Sequence, residues 1–374
     1  MSHMPQVLQI EFIEEGGIAR ICSIMESTNA KKIFLVSGKS SFILSGAKKT
    51  LQRLLKDKKV TIFNSFPSDY ELCDIERGIS VFKSDNFDLV VAIGGGSVLD
   101  MAKLIKILSA QKQSNIFNFI KNPSLIENKG VPLVALPTTA GSGSQATHFA
   151  VVYVQQEKYS LAHQYVLPDF AIVDTALCYS APRLDAASSA LDALSQSIES
   201  YWSLNSTKES KYYAAKAIKL MIDSIVPSVN HKDKKSIQSM SLASHLSGKA
   251  INISKTTLPH ALSYFLTSNF KISHGHSVAL FLGFVWKLNY QYGDEDLQKI
   301  MEELSDLIKI SVRDFDIFWY NLMSILGLEK KLSKIGIEQS DLYAIASSAN
   351  QERLKNHPIT IKTELIVDEL NKML

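Results

Sequence analysis

The distribution of apolar residues changes near residue 180 and divides the chain into two halves. In the first half, short apolar runs rich in β-branched residues alternate with segments in which apolar residues recur every three or four positions. The runs predict strands at residues 7–12, 32–36, 60–63, 89–93 and 132–136, and the periodic segments predict helices at 16–25, 42–55, 74–83 and from Ser97 onwards. Such alternation is typical of an α/β fold with a doubly wound, mostly parallel sheet.

Beyond residue 180 the apolar pattern is almost entirely helical. Helices are predicted at residues 190–201, 210–225, 235–250, 278–290, 298–308, 316–326 and 341–349. Breakers such as Pro227, Pro259 and Gly327 separate the periodic segments. We therefore predict two domains, an α/β domain of residues 1–180 and an all-α domain of residues 181–374.

Composition and charge exclude several classes of function. The chain has 40 Lys and Arg against 37 Asp and Glu, and a net charge of +3 does not favour binding to nucleic acid. No apolar run approaches the ~20 residues that span a bilayer, and 3 widely spaced cysteines favour neither a disulfide framework nor a cysteine metal site. We therefore expect a cytoplasmic enzyme without nucleic-acid or membrane partners.

A glycine-rich turn follows the fourth predicted strand. Gly94, Gly95 and Gly96 allow a ligand to approach the backbone closely, and Ser97 is placed to cap the helix that follows. A strand, a glycine turn and a helix N-terminus together favour an anion, such as the pyrophosphate of a dinucleotide. A plain turn between strand and helix is the alternative. A second loop rich in glycine and hydroxyl groups, residues 136–147, follows the fifth predicted strand and would lie at the same edge of the sheet.

The helical half contains scattered residues that can bind a metal ion. Asp192 and Gln196 are four positions apart on one face of an otherwise apolar helix, and His260 and His274 lie further along the chain. A carboxylate and two imidazoles can hold a divalent metal and leave a position open for a substrate oxygen. A single histidine near a helix end is more often a cap or a solvated group, so the spacing by itself leaves both interpretations open.

Four motifs, in order, resemble those of the iron-containing (group III) alcohol dehydrogenases, which are related to the dehydroquinate synthase-like fold. The motifs are residues 94–103 (GGGSVLDMAK), 136–144 (LPTTAGSGS), 191–200 (LDALSQSIES) and 272–276 (ISHGH), and the resemblance covers nearly the whole chain. It implies an NAD(P)-dependent alcohol dehydrogenase or aldehyde reductase with a divalent metal, Fe²⁺ or Zn²⁺, and we expect a homodimer. The implied metal ligands are Asp192, Gln196, His260 and His274. The implied contacts to NADH or NADPH are Gly38, Lys39, Gly94, Gly95, Gly96, Ser97, Asp100, Thr138, Thr139, Ser142 and Lys158.

The chain departs from the family pattern at several of these positions. Gln196 stands where the family has His, and an uncharged amide oxygen is a poor ligand for iron or zinc, so the metal is expected to bind weakly or through water. The family often has another active-site His at the position of Tyr264, and Glu at the position of Gln145. Where the family often has an acidic residue that binds the adenosine ribose, this chain has Gly38 followed by Lys39, which favours NADPH at least as much as NADH.

One branch of the family matches these departures more closely. Residues 191–203 and 255–264 are similar to the phosphonoacetaldehyde reductases, whose substrate is a small aldehyde that carries a phosphonate. Lys255, followed by two threonines, would place a cation and hydroxyls at the wall of the substrate pocket, although a solvated lysine at a helix end explains Lys255 equally well. Tyr264, His276 and Lys255 are the predicted catalytic residues, with Tyr264, His276 or water as the proton relay.

The predicted activity is therefore the reduction of a small aldehyde, with phosphonoacetaldehyde as the best candidate and 2-hydroxyethylphosphonate as its product. Three alternatives remain open. They are a group III dehydrogenase of another small alcohol, a lyase similar to dehydroquinate synthase, and a catalytically silent relative that keeps the dinucleotide loop.

Overall fold

The computed structural model describes residues 8–113, 115–155, 157–349 and 351–374, apart from the side chains of residues 351 and 352. These residues divide by their contacts into two compact units, with the division between Ala181 and Pro182. Across the described ranges, we find no helix whose length and apolar character would let it cross a membrane.

The first unit is organised around a parallel sheet. Its strands are β1 (Ile10–Ile13), β2 (Lys32–Ser37), β3 (Lys59–Phe63), β4 (Leu89–Gly94), β5 (Leu133–Pro137), β6 (Phe149–Val154), β7 (Glu157–Ala162) and β8 (Phe170–Val173). Six of them form one sheet in the order β1-β8-β5-β4-β2-β3, with every neighbouring pair parallel. The remaining two, β6 and β7, form an antiparallel hairpin.

Each of the five predicted strands overlaps a strand of this sheet, but β8 and the β6–β7 hairpin are not in the prediction. Val7, the first residue of the first predicted strand, lies outside the described residues, and β1 begins at Ile10. The apolar run of β8 is only 4 residues long. Its place between β1 and β5 depends on pairing with segments far away in the chain, which a local pattern does not contain.

Helices cover both faces of the sheet in the first unit. They are α1 (Ile21–Ser27), α2 (Lys39–Leu44), α3 (Ala47–Leu54), α4 (Leu72–Lys83), α5 (Gly96–Ser109) and α6 (Ile116–Lys121). Alternate residues of β2 belong to two separate hydrophobic cores, Phe34 and Val36 to one and Ile33 and Leu35 to the other. Because successive side chains of a strand point to opposite faces, both faces are buried, which confirms the doubly wound sheet.

Two local predictions for the first unit are wrong. The helix predicted at 42–55 is two helices, α2 and α3, because Gly46 between them adopts a left-handed conformation with φ +76°. Ser97 does not cap α5, since the capping residue is Gly95 and Ser97 lies within the first turn. The chain enters the helix two residues earlier than the serine suggested.

The second unit contains helices and no strand among its described residues. Its helices are α7 (Arg183–Trp202), α8 (Lys208–Ile222), α9 (Ile225–Asn230), α10 (Lys234–Ser254), α11 (Leu258–Phe270), α12 (His274–Tyr292), α13 (Glu295–Ile308), α14 (Phe315–Leu326), α15 (Leu342–Ser347), α16 (Gln351–Leu354) and α17 (Thr363–Asn371). The sequence prediction did not include α11, because Pro259 was interpreted as a breaker. Pro259 lies in the first turn of α11, where proline is tolerated since its missing N–H would have no partner within the helix.

Candidate functional site

The glycine turn of the first unit lies at the carboxyl edge of the sheet, where β4 is flanked by β2 and β5. The chain continues from β2 to β3 on one side and from β4 to β5 on the other, which makes the β2–β4 pair a topological switch point. The N–H of Gly38 donates to the carbonyl of Ile93 at 3.3 Å, and the N–H of Thr138 donates to Gly94 at 2.9 Å. Three loops therefore meet at a position where doubly wound sheets bind ligands.

The three glycines of the turn differ in how much space a side chain would have at each position. A Cβ atom on Gly94 would lie 2.7 Å from Val98, and one on Gly96 would lie 2.7 Å from Ser142 Oγ, so packing within the protein excludes a side chain at both positions. A Cβ on Gly95 would have Thr139 as its nearest neighbour at 3.8 Å. The space in front of Gly95, at the N-terminus of α5, is therefore clear for a ligand such as a pyrophosphate.

The second loop contributes side chains to the same turn. Thr139 is the side chain nearest to Gly95, and Ser142 is the one nearest to Gly96. Both are half-buried, whereas Thr138 is buried. The structure thus brings Thr139 and Ser142 to the glycine turn.

Two charged residues one turn apart on α5, Asp100 and Lys103, are hydrogen-bonded to the second loop and to the residues that follow it. The Asp100 carboxylate accepts hydrogen bonds from Ser144 Oγ at 2.5 Å and from the N–H of Val151 at 3.0 Å. Lys103, which is 0% exposed, donates to Ser144 Oγ at 2.8 Å, Thr147 Oγ1 at 3.1 Å and the carbonyl of residue 149 at 2.9 Å. Burial lowers the pKa of Lys103 to about 8, although Asp100 opposes this shift. The hydrogen bonds of Asp100 to Ser144 and Val151 thus hold the second loop in place.

The remaining predicted cofactor residues lie on separate elements. Gly38 caps α2, and the exposed Lys39 is the first residue of that helix. Lys158 lies on β7, opposite Tyr153 of β6. The contribution of these residues to cofactor binding stays a prediction.

In the second unit, Asp192, His260 and His274 form a compact cluster of potential metal ligands. One ligand atom from each residue lies within 4.8 Å of the other two. Asp192 Oδ1 is 3.3 Å from His260 Nε2 and 3.9 Å from His274 Nε2. These residues come from α7, α11 and α12, so three helices converge on the cluster.

Gly275 explains how α12 reaches α7 closely enough to form the cluster. A Cβ atom at this position would lie 2.0 Å from the carbonyl oxygen of Ser188 and 2.8 Å from Cβ of Asp192. Only glycine therefore permits this approach, which places His274 beside Asp192.

Glu199 orients His260. Its carboxylate is 0% exposed and accepts hydrogen bonds from the N–H and Oγ1 of Thr257 at 2.7 and 2.9 Å. It also accepts a hydrogen bond from His260 Nδ1–H, which leaves Nε2 facing Asp192. Burial by itself lowers the pKa of His260, but Glu199 and Asp192 outweigh burial and raise this pKa to about 9. The two carboxylates therefore favour a positive charge at this position, whether a proton or a metal cation at Nε2 carries it.

Gln196 lies beside the cluster, and its amide group bonds to protein neighbours on both sides. Nε2 donates to Asp192 Oδ2 at 3.1 Å, and Oε1 accepts from Ser247 Oγ at 3.1 Å. A carboxylate can only accept, so Asp192 requires the NH₂ side of the amide. The predicted ligand Gln196 thus presents its N–H groups to Asp192 and its oxygen to Ser247, an orientation that suits positioning of Asp192 better than ligation.

The three predicted catalytic residues have different surroundings. Tyr264, one turn after His260 on α11, stacks on His274 with ring centroids 6.1 Å apart. His276 is not brought to the cluster, because residues two apart on a helix face different directions and its Nε2 is hydrogen-bonded to the carbonyl of Glu329 at 2.6 Å. Lys255 is half-buried and follows α10 with a φ of +61°.

Sequence reasoning missed Glu199, although a signal was present. Asp192, Gln196 and Glu199 are polar residues at i, i+4 and i+7 of an apolar helix, and such residues share one face. The spacing indicated that all three would lie together. It did not indicate that His260 would be the partner of Glu199.

The residues at the two sites fit the divalent metal and the dinucleotide that the sequence implies. One carboxylate and two imidazoles suit a divalent transition metal. His260 Nε2 makes no hydrogen bond within the described residues although it is buried 3.3 Å from Asp192, which suits a shared metal ion. The clear space at Gly95 suits a pyrophosphate.

Comparison with known proteins identifies the family of the chain. Residues 10–175 match the family model of the iron-containing alcohol dehydrogenases, and residues 186–374 match that of their C-terminal region. Long-chain-alcohol dehydrogenase 1 of Geobacillus thermodenitrificans is 32% identical over 74% of this chain and 72% of its own length. The probable alcohol dehydrogenase EutG of Escherichia coli is 30% identical over 94% of this chain and 90% of its own length.

Solved structures share the fold. The iron-containing alcohol dehydrogenase of Thermotoga maritima is 26% identical with a TM-score of 0.86, covering 100% of this chain and 99% of its own. A sulfoacetaldehyde reductase of Bifidobacterium kashiwanohense in complex with NAD⁺ has a TM-score of 0.90 over 100% of this chain and 98% of its own, and at 24% identity this likeness concerns the fold alone. The chain belongs to the iron-containing alcohol dehydrogenases, a family of oxidoreductases that use NAD(P) and a divalent metal.

Proposed function

We propose that this protein reduces a small aldehyde with an anionic group to the corresponding alcohol, with NAD(P)H as the hydride donor. Phosphonoacetaldehyde, reduced to 2-hydroxyethylphosphonate, is the best candidate. The observation that carries the proposal is the cluster of Asp192, His260 and His274 within 4.8 Å. Family membership supplies the reaction class. The anionic substrate rests on Arg353, whose guanidinium group is hydrogen-bonded to Tyr264, the residue that stacks on His274.

In this proposal Asp192, His260 and His274 hold the metal, and Glu199 keeps His260 Nδ1 protonated so that Nε2 is available as a ligand. Gln196 holds the second oxygen of Asp192. A metal held there would polarise the aldehyde carbonyl as a Lewis acid, and a bound reduced nicotinamide would supply the hydride.

The proton for the alcohol comes through side chains or water near the cluster. Tyr264 is the predicted relay residue that the structure brings to His274. Burial raises the pKa of Tyr264, although Arg353 opposes this shift, so Tyr264 Oη holds its proton at neutral pH. His276 Nε2 donates to the carbonyl of Glu329 instead, and we therefore favour Tyr264.

The dinucleotide is proposed to place its pyrophosphate at Gly95, with Thr139 and Ser142 beside it. Gly38 and Lys39 stand at the end of β2, where an acidic side chain would repel a 2′-phosphate. We therefore propose that NADPH is used at least as well as NADH.

The test is a screen of cofactor oxidation with acetaldehyde, propionaldehyde and phosphonoacetaldehyde, each with and without added Fe²⁺ or Zn²⁺. We expect metal-dependent turnover and the highest kcat/KM with phosphonoacetaldehyde, with the product identified by phosphorus NMR. Equal kcat/KM for neutral and anionic aldehydes would contradict the anionic substrate. No turnover of any aldehyde under any metal condition would contradict reduction itself and favour a silent relative.

A further inference from the structure

Arg353 lies next to the predicted metal site, although it is far from the other site residues in sequence. It belongs to α16, which packs against α11, and its guanidinium group is hydrogen-bonded to the hydroxyl of Tyr264. The ring of Tyr264 in turn stacks on His274, with an interplanar angle of 21°. One aromatic ring therefore separates the guanidinium group from a predicted metal ligand.

Asn356 fixes the segment that carries Arg353. Its side chain is buried, at 3% exposure, and Nδ2 donates to the carbonyls of Ser254 and Thr256 at 2.8 and 3.0 Å. Its Oδ1 accepts from Ser203 Oγ at 2.8 Å and from the N–H of Asn205 at 3.1 Å. All four hydrogen-bonding positions of this amide are thus used, and they tie Asn356 to the loop before α11 and to the residues that follow α7.

The loop that Asn356 binds carries a second cationic residue, Lys255. Lys255 lies between the two carbonyl groups that Asn356 binds. The N–H of Asn356 donates to the carbonyl of Arg353 at 3.2 Å, which closes a tight turn between the two residues. Asn356 therefore fixes both the backbone around Lys255 and the backbone of Arg353.

We propose that Arg353 binds the anionic group of the substrate and is the residue that selects an anionic aldehyde over a neutral one. A guanidinium group offers five N–H donors in a planar fork, so it can bond to Tyr264 and still present a pair of donors to a phosphonate. A bidentate bond of this kind matches two phosphonate oxygens, whereas a lysine offers only a point charge. Arg353 then contacts the part of the substrate that does not react, while the carbonyl lies at the metal ligands.

This inference rests on the proposed function, which supplies the anionic aldehyde. The experiment therefore compares an anionic aldehyde with a neutral one. Wild type, Arg353→Gln and Arg353→Lys are assayed with phosphonoacetaldehyde and with propionaldehyde. We expect Arg353→Gln to lower the ratio of the two kcat/KM values at least about tenfold, mainly through a higher KM for phosphonoacetaldehyde. Arg353→Lys is expected to restore part of the ratio. Arg313→Gln, which removes an exposed arginine from the same unit, is the matched control for net charge and should leave the ratio as in wild type.

A binding measurement separates failure of this inference from failure of the proposed function. Methylphosphonate carries the anionic group without an aldehyde, and its affinity for the metal-loaded protein is measured by calorimetry. If wild type reduces phosphonoacetaldehyde but Arg353→Gln keeps the substrate ratio, the role of Arg353 is wrong and the proposed function stands. If no aldehyde is reduced, tighter binding of methylphosphonate to wild type than to Arg353→Gln supports the anion site, and equal binding overturns it.

Discussion

The Nδ1–H of His260 is hydrogen-bonded to the buried carboxylate of Glu199, 61 residues away in the chain. Because a histidine that donates from Nδ1 presents Nε2 as its ligand atom, this bond selects the tautomer that a metal requires. The two threonine bonds to Glu199 hold the carboxylate in place. We therefore expect Glu199 to act through His260 as a positioning residue for a bound metal ion.

The first prediction concerns Glu199. We expect Glu199→Gln to weaken metal binding by about 10- to 100-fold, since the neutral amide no longer stabilises the orientation and basicity of His260. The affinity is measured by competition with a chromogenic chelator, which does not depend on turnover. Glu302→Gln, an exposed carboxylate on α13, is the control. Unchanged metal affinity in a folded Glu199→Gln protein would exclude this role.

The second prediction concerns the glycine turn. Gly95→Val is expected to weaken dinucleotide binding at least about tenfold, or ~1.4 kcal/mol, while the protein keeps its stability, because a Cβ there meets its first neighbour only at 3.8 Å. Gly94→Val should instead destabilise the first unit, since its Cβ would lie 2.7 Å from Val98. Cofactor titration and thermal unfolding of both variants distinguish the two effects. Wild-type affinity in Gly95→Val would contradict the pyrophosphate position.

The third prediction concerns the choice between the two cofactors. Gly38→Asp is expected to shift preference from NADPH toward NADH, because a carboxylate at the end of β2 accepts from ribose hydroxyls and repels a 2′-phosphate. The substitution fits sterically, since the nearest atom to a new Cβ is the hydroxyl of Ser41, which can rotate away. The readout is the ratio of kcat/KM for the two cofactors. A wild-type enzyme strictly selective for NADH would contradict this prediction.

The fourth prediction concerns the unusual residue at position 196. We expect Gln196→His to increase the metal retained after exhaustive dialysis, because imidazole is a far better donor to iron or zinc than an amide. Because the substitution also removes the hydrogen bond from Ser247, tighter metal binding need not raise the catalytic activity. His260→Ala is the negative reference. Should wild type already retain one equivalent of metal and the histidine variant bind no more tightly, the idea of a weakened site is wrong.

The fifth prediction concerns the acid stability of the second unit. Burial lowers the pKa of His357 to about 3, and neither ring nitrogen has a hydrogen-bond partner among the described residues. Below the unfolded-state pKa of about 6.5 the unfolded chain binds a proton that the folded protein does not, so stability falls as pH decreases toward 3. His357 should therefore cost about 2 kcal/mol between pH 7 and pH 5.

Urea unfolding at the two pH values checks this. His357→Phe keeps a ring against Trp202 and should lose less stability on acidification than wild type. His231→Gln, at an exposed histidine, should follow wild type. Equal losses in all three proteins would mean that His357 does not titrate as stated.

The resemblance to the iron-containing alcohol dehydrogenases, inferred from four motifs, is confirmed by the family models that match both halves of the chain. The doubly wound sheet is likewise confirmed. Both features leave strong signals in the local sequence. A run such as Leu89–Gly94 is buried on both faces and is therefore apolar throughout. Gly94 must be glycine because of Val98, four residues further along the chain, whereas Gly96 meets Ser142, which only the tertiary structure brings there.

The tertiary structure alone decided which polar groups become partners. The i, i+4, i+7 spacing of α7 placed Glu199 on the face of Asp192, but the choice of His260 as its partner depends on how α11 packs. Arg353 and Asn356 carried no local signal, since the hydrogen-bond partners of Asn356 lie 100 to 153 residues away in the chain and Tyr264, the partner of Arg353, is also distant. Periodicity reports which face of an element is buried. It contains no information about which distant element covers that face, because that depends on packing over the whole unit.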